Sequence, residues 1–263
     1  MRLVCCQLDV AWEDKPANAA RVAALLAAAK PPRGSLVVLP EMFATGFSMN
    51  VAGIGEAAPS ATEAFLAATA RKHACFVLGG LAAIGADGRG RNQAVVCTPA
   101  GKAVARYAKL HPFTLGGEAQ HYAAGDEVVT FDWQGCLVAP FICYDLRFPE
   151  VFRAAVRRGA QLFVVIANWP AARLGHWTTL LRARAVENLA YVAGVNRCGA
   201  DPQHSYPGRS LIVGPQGEVL AEAGSQEGII TAEVDLARLA AWRQEFPALA
   251  DMRADGARYV TDS

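Results

Sequence analysis

The sequence predicts one layered α/β domain, two mixed sheets lying face to face between helical layers. Three features of the chain lead there. Strand-length apolar runs are followed by helical segments at residues 2–29 and again at 137–158. Residues 75–108 instead read as three strands joined by tight turns, so antiparallel strands must share a sheet with parallel ones. Strands return in close succession after residue 190, giving two mixed halves. Each half covers one face of its sheet with helices, and the other face is buried only if the two sheets meet.

Composition supports a single core. The chain has 263 residues, 53% hydrophobic and 19% charged, and no proline- or serine-rich linker or charge block divides it. One domain over residues 1–263 is expected, with 247–263 as a C-terminal tail. Twenty-five basic residues against 24 acidic ones give a formal net charge of +1. That offers no footing for nucleic acid or an anionic membrane and leaves a small molecule as the expected partner. No run of about 18 apolar residues, the length a membrane span needs, occurs. The first residues, MRLVCCQLDV, read as a strand, and the acid-bearing AWEDKPANAARV after them is unlike an apolar secretory segment. The seven cysteines are odd in number and lack C-x-x-C or cysteine–histidine spacing. A reducing cytoplasm is the expected compartment, and no metal or cofactor is expected.

In chain order, residues 2–8 form the first strand, and Ala19, Val22, Ala23, Leu25, Leu26 and Ala29 then recur at helical spacing. Pro31-Pro32-Arg33-Gly34 ends that helix, and the run Ser35–Leu39 leads to Pro40-Glu41. Phe43–Gly55 has no clear period and reads as a loop near the site. A helix over Ala61–His73 is capped by Ser60, with Glu63 three residues on completing a capping box. Cys75–Ala82, Asn92–Thr98 and Ala103–Ala108 are strands separated by glycine-rich and Pro-Ala-Gly-Lys turns. A loop through Glu118 then leads to Val128–Trp133 and Cys136–Ile142. Pro149–Arg158 is a helix, since proline suits a first turn and Glu150 its positive end. Gln161–Ala167 is a buried strand leaving at Asn168-Trp169-Pro170, and a helix over Trp177–Leu189 carries Arg182, Arg184 and Glu187 at ion-pair spacing. Tyr191–Asn196, Ser210–Gly214, Glu218–Glu222 and Ile229–Glu233 complete the strands, and Asp235–Gln244 the last helix. No internal sequence repeat is visible.

Cys143 stands where the apolar run Leu137–Ile142 stops and a helix is about to begin. A strand-to-helix turn aims a side chain outward and can place a sulfur near backbone N–H groups, which would favour the thiolate. The alternative is a small buried hydrophobe, the common fate of a free cysteine. Glu41 and Lys109 also follow strands, and Glu118 lies on the loop between Lys109 and Cys143. In open α/β sheets, ligands gather outside the carboxyl ends of strands, so distant residues of this kind can converge. A carboxylate, an ammonium and a thiol are what attack on an amide requires: a base, a partner for the developing oxyanion, and a nucleophile. A buried Glu–Lys pair beside an inert cysteine would show the same residues.

Three segments, LPE (Leu39–Glu41), YAKLHPF (Tyr107–Phe113) and CYDLRFPE (Cys143–Glu150), resemble those carrying the glutamate, lysine and cysteine of the carbon–nitrogen hydrolase, or nitrilase, superfamily. They occur in the expected order, and the resemblance runs from Arg2 to about Phe246. It implies an αββα sandwich and homodimers or larger assemblies. CYDLRFPE, ANWP at Ala167–Pro170, His176-Trp177 and ARAVENLAYV at Ala183–Val192 look most like the ω-amidase branch, whose substrates are the ω-amides of 2-oxo dicarboxylic acids, 2-oxoglutaramate and 2-oxosuccinamate. Other branches, namely deaminated-glutathione amidases, N-carbamoyl amino-acid hydrolases and nitrilases, remain alternatives, as does a non-catalytic α/β binding module. The resemblance implies that Glu41 is the general base, that Cys143 forms a thioester, that Lys109 and the Tyr144 backbone N–H hold the oxyanion, and that Glu118 orients the site. For substrate binding, Arg147 is expected to clamp a carboxylate, or alternatively to pair with Glu150. Asn168, Trp169 and His176 are expected at the pocket, with simple packing as the other reading. His111 is not expected to act as a base, since Glu41 already supplies one.

Overall fold

Alternation along each strand decides what the first half of the chain faces. In β1 (Arg2–Gln7), Leu3 and Cys5 join one buried cluster and Val4 and Cys6 another. Successive strand side chains point to opposite faces, so one set meets the second sheet and the other meets helices. The structure is a computed structural model and describes residues 1–253; the end of the expected tail, 254–263, lies outside the described residues. After β1 come α1 (Lys15–Ala29), β2 (Leu36–Val38), the single turn α2 (Val51–Ile54), α3 (Ala61–His73), β3 (Phe76–Ile84), β4 (Gly90–Cys97) and β5 (Ala103–Ala108). A short α4 (Glu118–His121) precedes the second half: β6 (Phe131–Trp133), β7 (Cys136–Ile142), α5 (Pro149–Arg157), β8 (Leu162–Ala167), α6 (Leu174–Asn188) and β9 (Tyr191–Asn196). Then follow β10 (Cys198–Ala200), β11 (Ser205–Pro207), β12 (Leu211–Val213) and β13 (Val219–Glu222), and finally β14 (Gly228–Glu233) and α7 (Leu236–Glu245).

Two six-stranded sheets result, ordered β14-β1-β2-β3-β4-β5 and β6-β7-β8-β9-β12-β13. The first pairs antiparallel, parallel, parallel, antiparallel, antiparallel along that order. The second repeats the sequence of pairings. A duplication invisible in the residues is thus plain in the topology. Helices α1 and α3 cover the first sheet through Val22, Leu26, Leu66 and Ala70, while Phe152 of α5 and Leu181 of α6 pack on the second. The predicted four-layer αββα sandwich is what forms.

Aromatics tie the second sheet to its helix layer and to the end of β5: Phe141 and Phe163 both pack on Phe152 of α5, at 4.2 and 5.3 Å, on the helix-covered face. Phe141 of β7 lies edge-on to Tyr107 of β5 at 5.8 Å and to Phe163 of β8 at 6.0 Å. Each such pair adds about 0.5–1.5 kcal/mol beyond the area it buries. They fix the exits of β5 and β7, the origins of Lys109 and Cys143, against one another.

The expected capping box on α3 closes differently. Ser60 does accept from the Glu63 N–H at 3.0 Å, but the Glu63 carboxylate turns to Arg106. Glu56 takes its place, accepting from Ser60, from both the N–H and hydroxyl of Thr62, and from Lys15 at 2.7 Å. Burial alone would raise the Glu56 pKa, but these donors outweigh it and bring it down from 4.5 to about 2. A folded-state pKa below the unfolded one means stabilisation present above about 4.5 and lost as pH falls toward 2. Glu56→Gln should therefore cost about 1 kcal/mol at neutral pH, allowing for solvent screening of this partly exposed group. Denaturant melts of both proteins should converge as the pH approaches 2.

Candidate active site

Glu41 lies three residues past the end of β2 and is fully buried. Its backbone is pressed against β3, where a Cβ on Gly80 would stand 2.6 Å from the Met42 nitrogen and 2.7 Å from Glu41 Cα. Only glycine permits that approach. The Glu41 carboxylate is held from three directions. Asn92 Nδ2 of β4 donates to Oε1 at 2.7 Å, Lys109 Nζ lies 3.2 Å from the same oxygen, and the Asn168 backbone N–H donates to Oε2 at 2.7 Å.

Lys109, one residue past β5, sits between two carboxylates. Its Nζ is 2.7 Å from Glu118 Oε2 as well as 3.2 Å from Glu41, and the ring of Phe47 covers it at 5.2 Å. Burial pushes the ammonium toward neutrality, but the charges of Glu41 and Glu118 outweigh burial and hold its pKa above the ordinary lysine value. The group stays a cation. Asn92 Nδ2 also donates to Glu118 Oε1 at 2.7 Å, so one amide bridges both acids. Asn92 was passed over in the sequence, where it stands between Arg91 and Gln93 at the polar start of its strand and carries no signal of its own.

Cys143 follows β7 directly and opens a 3₁₀ turn through Arg147, with φ of +47°. A left-handed backbone at a non-glycine residue is uncommon and is retained only where the surroundings impose it. Here Asp145 imposes it, accepting from the Ile142 N–H at 3.0 Å, the His111 N–H at 2.9 Å and the Tyr107 hydroxyl at 2.7 Å. His111 Nδ1 lies 2.9 Å from the same carboxylate, so His111 serves this scaffold and not the sulfur. Arg184 of α6 completes it by donating from Nη2 to the Leu146 carbonyl at 2.7 Å. Tyr144 is the second residue of the turn, where a backbone N–H has no acceptor within the turn itself.

The expected thiolate is not found. Burial raises the Cys143 pKa well above that of an ordinary thiol and Glu41 adds to it, with Lys109 only partly offsetting them. The resting sulfur is an S–H, directed at the Asn168 carbonyl 3.9 Å away. Asn168 thereby spans the site, because its own N–H and Nδ2 hold Glu41.

Cys143 opens onto a cavity of about 140 Å³ lined also by Tyr144, Arg147, Asn168, Trp169, Phe47 and Phe113. Glu41, Lys109 and Glu118 lie behind it, shut off from solvent. Arg147 does not pair with Glu150; its guanidinium lies over Trp169 at 5.1 Å and Tyr144 at 5.9 Å. Its Nη2 is 3.0 Å from His176 Nδ1, and a guanidinium can only donate there. His176 itself is exposed and outside the cavity lining, touching the site only through Arg147. Asn168 lines the cavity, but its amide serves Glu41 first.

The segment Phe43–Gly55, expected as a plain loop, includes α2 and is pinned on both sides. Ser48 donates to Glu13 Oε1 at 2.5 Å and its carbonyl accepts from the Tyr122 hydroxyl at 2.6 Å. Phe47 and Met49 thus stand fixed in the cavity wall. The hairpin β10–β11, unexpected from sequence, supplies more of that wall through Asp201 and Tyr206, and Arg173, also unexpected, lies opposite in chain terms at the entry to α6. Among the described residues no cluster of histidine, cysteine and acidic side chains suited to a metal ion occurs.

A thiol just past a strand, two carboxylates and an ammonium thus gather where the ends of the two sheets meet. The carbon–nitrogen hydrolase family profile matches residues 2–244, and the chain belongs to that family. Among its relatives, an omega-amidase, YafV, of Yersinia enterocolitica is 39% identical over 253 residues, covering 95% of this chain and 96% of that protein. The 2-oxoglutaramate amidase of Bacillus subtilis is 34% identical over 252 residues, covering 95% and 97%. Of solved structures, a CN-hydrolase superfamily protein of Xanthomonas campestris, with an arsenic adduct in its active site, superposes with a TM-score of 0.90 at 35% identity, covering 100% of this chain and 99% of that one. A point mutant of the amidase from Nesterenkonia sp. AN1, showing the result of Michael addition of acrylamide at its active-site cysteine, gives 0.79 at 26% identity, covering 94% and 98%.

Proposed function

We propose that the protein is an ω-amidase that hydrolyses the ω-amide of small 2-oxo dicarboxylic acid monoamides, 2-oxoglutaramate and 2-oxosuccinamate, to the acid and ammonia. One observation carries this reading: the Cys143 sulfur, with Glu41, Lys109 and Glu118 behind it, shares a small cavity with Arg147, a cation that has no carboxylate partner among the described residues. The amide carbon goes to the sulfur and the carboxylate to Arg147, which binds such groups through a two-pronged fork. The names of the relatives support the same substrate class.

Because the resting group is a thiol, a base must act with the attack. Glu41 takes the Cys143 proton as the sulfur adds to the amide carbon. The oxygen, now negative, is held by Lys109 Nζ and the Tyr144 N–H. Glu41 returns the proton to nitrogen, the C–N bond breaks, ammonia leaves, and a thioester remains on Cys143. Water then adds to the thioester as Glu41 takes its proton; the C–S bond breaks and the proton goes back to sulfur. Glu118 keeps Lys109 charged and in place throughout.

One continuous core cluster drawing on both sheets supports a single domain. Seven cysteines without a disulfide suit a reducing cytoplasm, and no helix among the described residues is long and apolar enough to cross a membrane. We place the protein there as a homodimer or larger assembly, following the family resemblance.

Acid quench during turnover of 2-oxoglutaramate, followed by mass spectrometry, should find the acyl group on the Cys143 peptide. Ammonia release should be faster from 2-oxoglutaramate than from deaminated glutathione, an N-carbamoyl amino acid or a nitrile. A preference for the nitrile would overturn the ω-amidase assignment.

A further inference from the structure

Arg147 is not the only cavity cation without a carboxylate partner among the described residues. Arg173 lines the same cavity, and among the described residues its guanidinium makes no hydrogen bond and no ion pair; its one contact is the ring of Phe113, 5.3 Å away. Elsewhere in the chain arginines of similar or lesser exposure are paired: Arg184 with Glu187, Arg197 with Asp9, Arg91 with Asp87. The two cavity arginines are also registered to one another. Arg147 lies over the Trp169 ring, and the Trp169 indole N–H donates to the Arg173 carbonyl at 2.7 Å. Asp201, the acid in the cavity wall, is already engaged by the Gln203 and His204 N–H groups at 2.8 and 2.7 Å and by the Tyr206 hydroxyl. Among the described residues it makes no ion pair with either arginine, and two guanidinium groups against one carboxylate leave the wall with an excess of positive charge.

We infer that Arg173 is a specificity-determining residue that, with Arg147, reads the 2-oxo acid end of the substrate, taking the ketone oxygen while Arg147 takes the carboxylate. This rests on the ω-amidase reading of the site and deepens it. A single carboxylate satisfies one guanidinium fork; a second fork is matched only when further acceptors lie beside it. A 2-oxo acid supplies one, the ketone oxygen next to the carboxylate. A 2-amino acid places an ammonium there instead, which a guanidinium repels, and an acid without either group leaves the second fork unfilled. The pair thus separates 2-oxoglutaramate from glutamine, two molecules that present the same amide to Cys143. Discrimination of this kind needs a repulsive element as well as an attractive one, and Arg173 provides both.

The test compares kcat/KM of the wild type, Arg173→Gln, Arg173→Lys and Arg147→Gln on 2-oxoglutaramate, glutaramate (the same chain without the oxo group), glutamine and the neutral butyramide. Arg173→Gln should lower the value for 2-oxoglutaramate by about 10- to 100-fold, the worth of a charged hydrogen bond. It should change glutaramate and butyramide by less than about threefold and narrow the gap to glutamine. Arg173→Lys should fall between, keeping the charge without the fork. Arg147→Gln should lower all three carboxylate-bearing amides and spare butyramide. Calorimetric titration of Cys143→Ala with 2-oxoglutaramate, with and without Arg173→Gln, gives the same comparison without turnover. Equal losses on all four amides, or none, would overturn the role of Arg173 while leaving the ω-amidase reading intact. A wild type that does not hydrolyse 2-oxoglutaramate would overturn both.

Discussion

Cys143→Ala is expected to abolish hydrolysis, by at least about 10⁴-fold, the scale on which removing a nucleophile from a concerted set acts. The fold should be kept. Cys143 is held at its turn by the Asp145 carboxylate and by Arg184, and neither contact involves the sulfur. Its own polar contact, to the Asn168 carbonyl at 3.9 Å, is weak, so thermal unfolding should stay within about 1 kcal/mol of the wild type. Substrate should still bind, because the cations assigned to its acid end lie on other residues. Full hydrolysis by a folded Cys143→Ala protein would remove the thioester from the mechanism.

Lys109→Met should act on both stability and rate. With the ammonium gone, Glu41 and Glu118 face each other in a sealed space with Asn92 Nδ2 as the bridge between them. Breaking a buried pair in this way costs about 3–5 kcal/mol. The sign with pH follows from like charges: in the variant one carboxylate would hold its proton more tightly folded than unfolded, so stability is present at low pH and lost as pH rises. Denaturant melts of Lys109→Met should therefore approach those of the wild type at mildly acid pH and diverge at neutral pH. Activity should be lost at every pH, since proton uptake restores the fold without supplying an oxyanion partner. A variant as stable as the wild type at pH 7 would overturn the assignment of Lys109 as the counter-charge that the two acids depend on.

How much of this was legible beforehand differs between levels. The sandwich could be read because alternation and helical spacing are local, and Leu3, Val4, Cys5 and Cys6 sort themselves onto two faces without help from elsewhere. Glu41, Lys109 and Cys143 could be proposed together because strand exits are also local signals, with Glu118 added from the loop between the last two, while the family resemblance supplied their roles. What failed depended on contacts made across the chain. A helix start after Cys143 argued for a thiolate, yet burial and Glu41 decide the proton. Ser60 and Glu63 fit a capping box, yet Arg106 takes Glu63 and Glu56 takes the cap. The helix α6 begins at Leu174, not Trp177, and takes Gly175 into its first turn. The hairpin of β10 and β11 was hidden by strands of three residues each around Pro202, His204 and other turn formers. Arg173 sits in the connection just before α6, where no periodicity marks a side chain as facing a cavity.

Asn168 belongs to the second sheet and Glu41 to the first, and three hydrogen bonds tie the one to the other. In the mechanism we propose, the proton carrier and the sulfur it serves are therefore mounted on opposite halves of the sandwich, and no single strand or helix among the described residues spans both. A slip of about an ångström between the halves, too small to expose the core, is enough to misalign a proton transfer and cost on the order of 100-fold in rate. Turnover in this protein is consequently a gauge of how well its two leaves are seated, and should fade under mild stress while circular dichroism still reports an intact molecule.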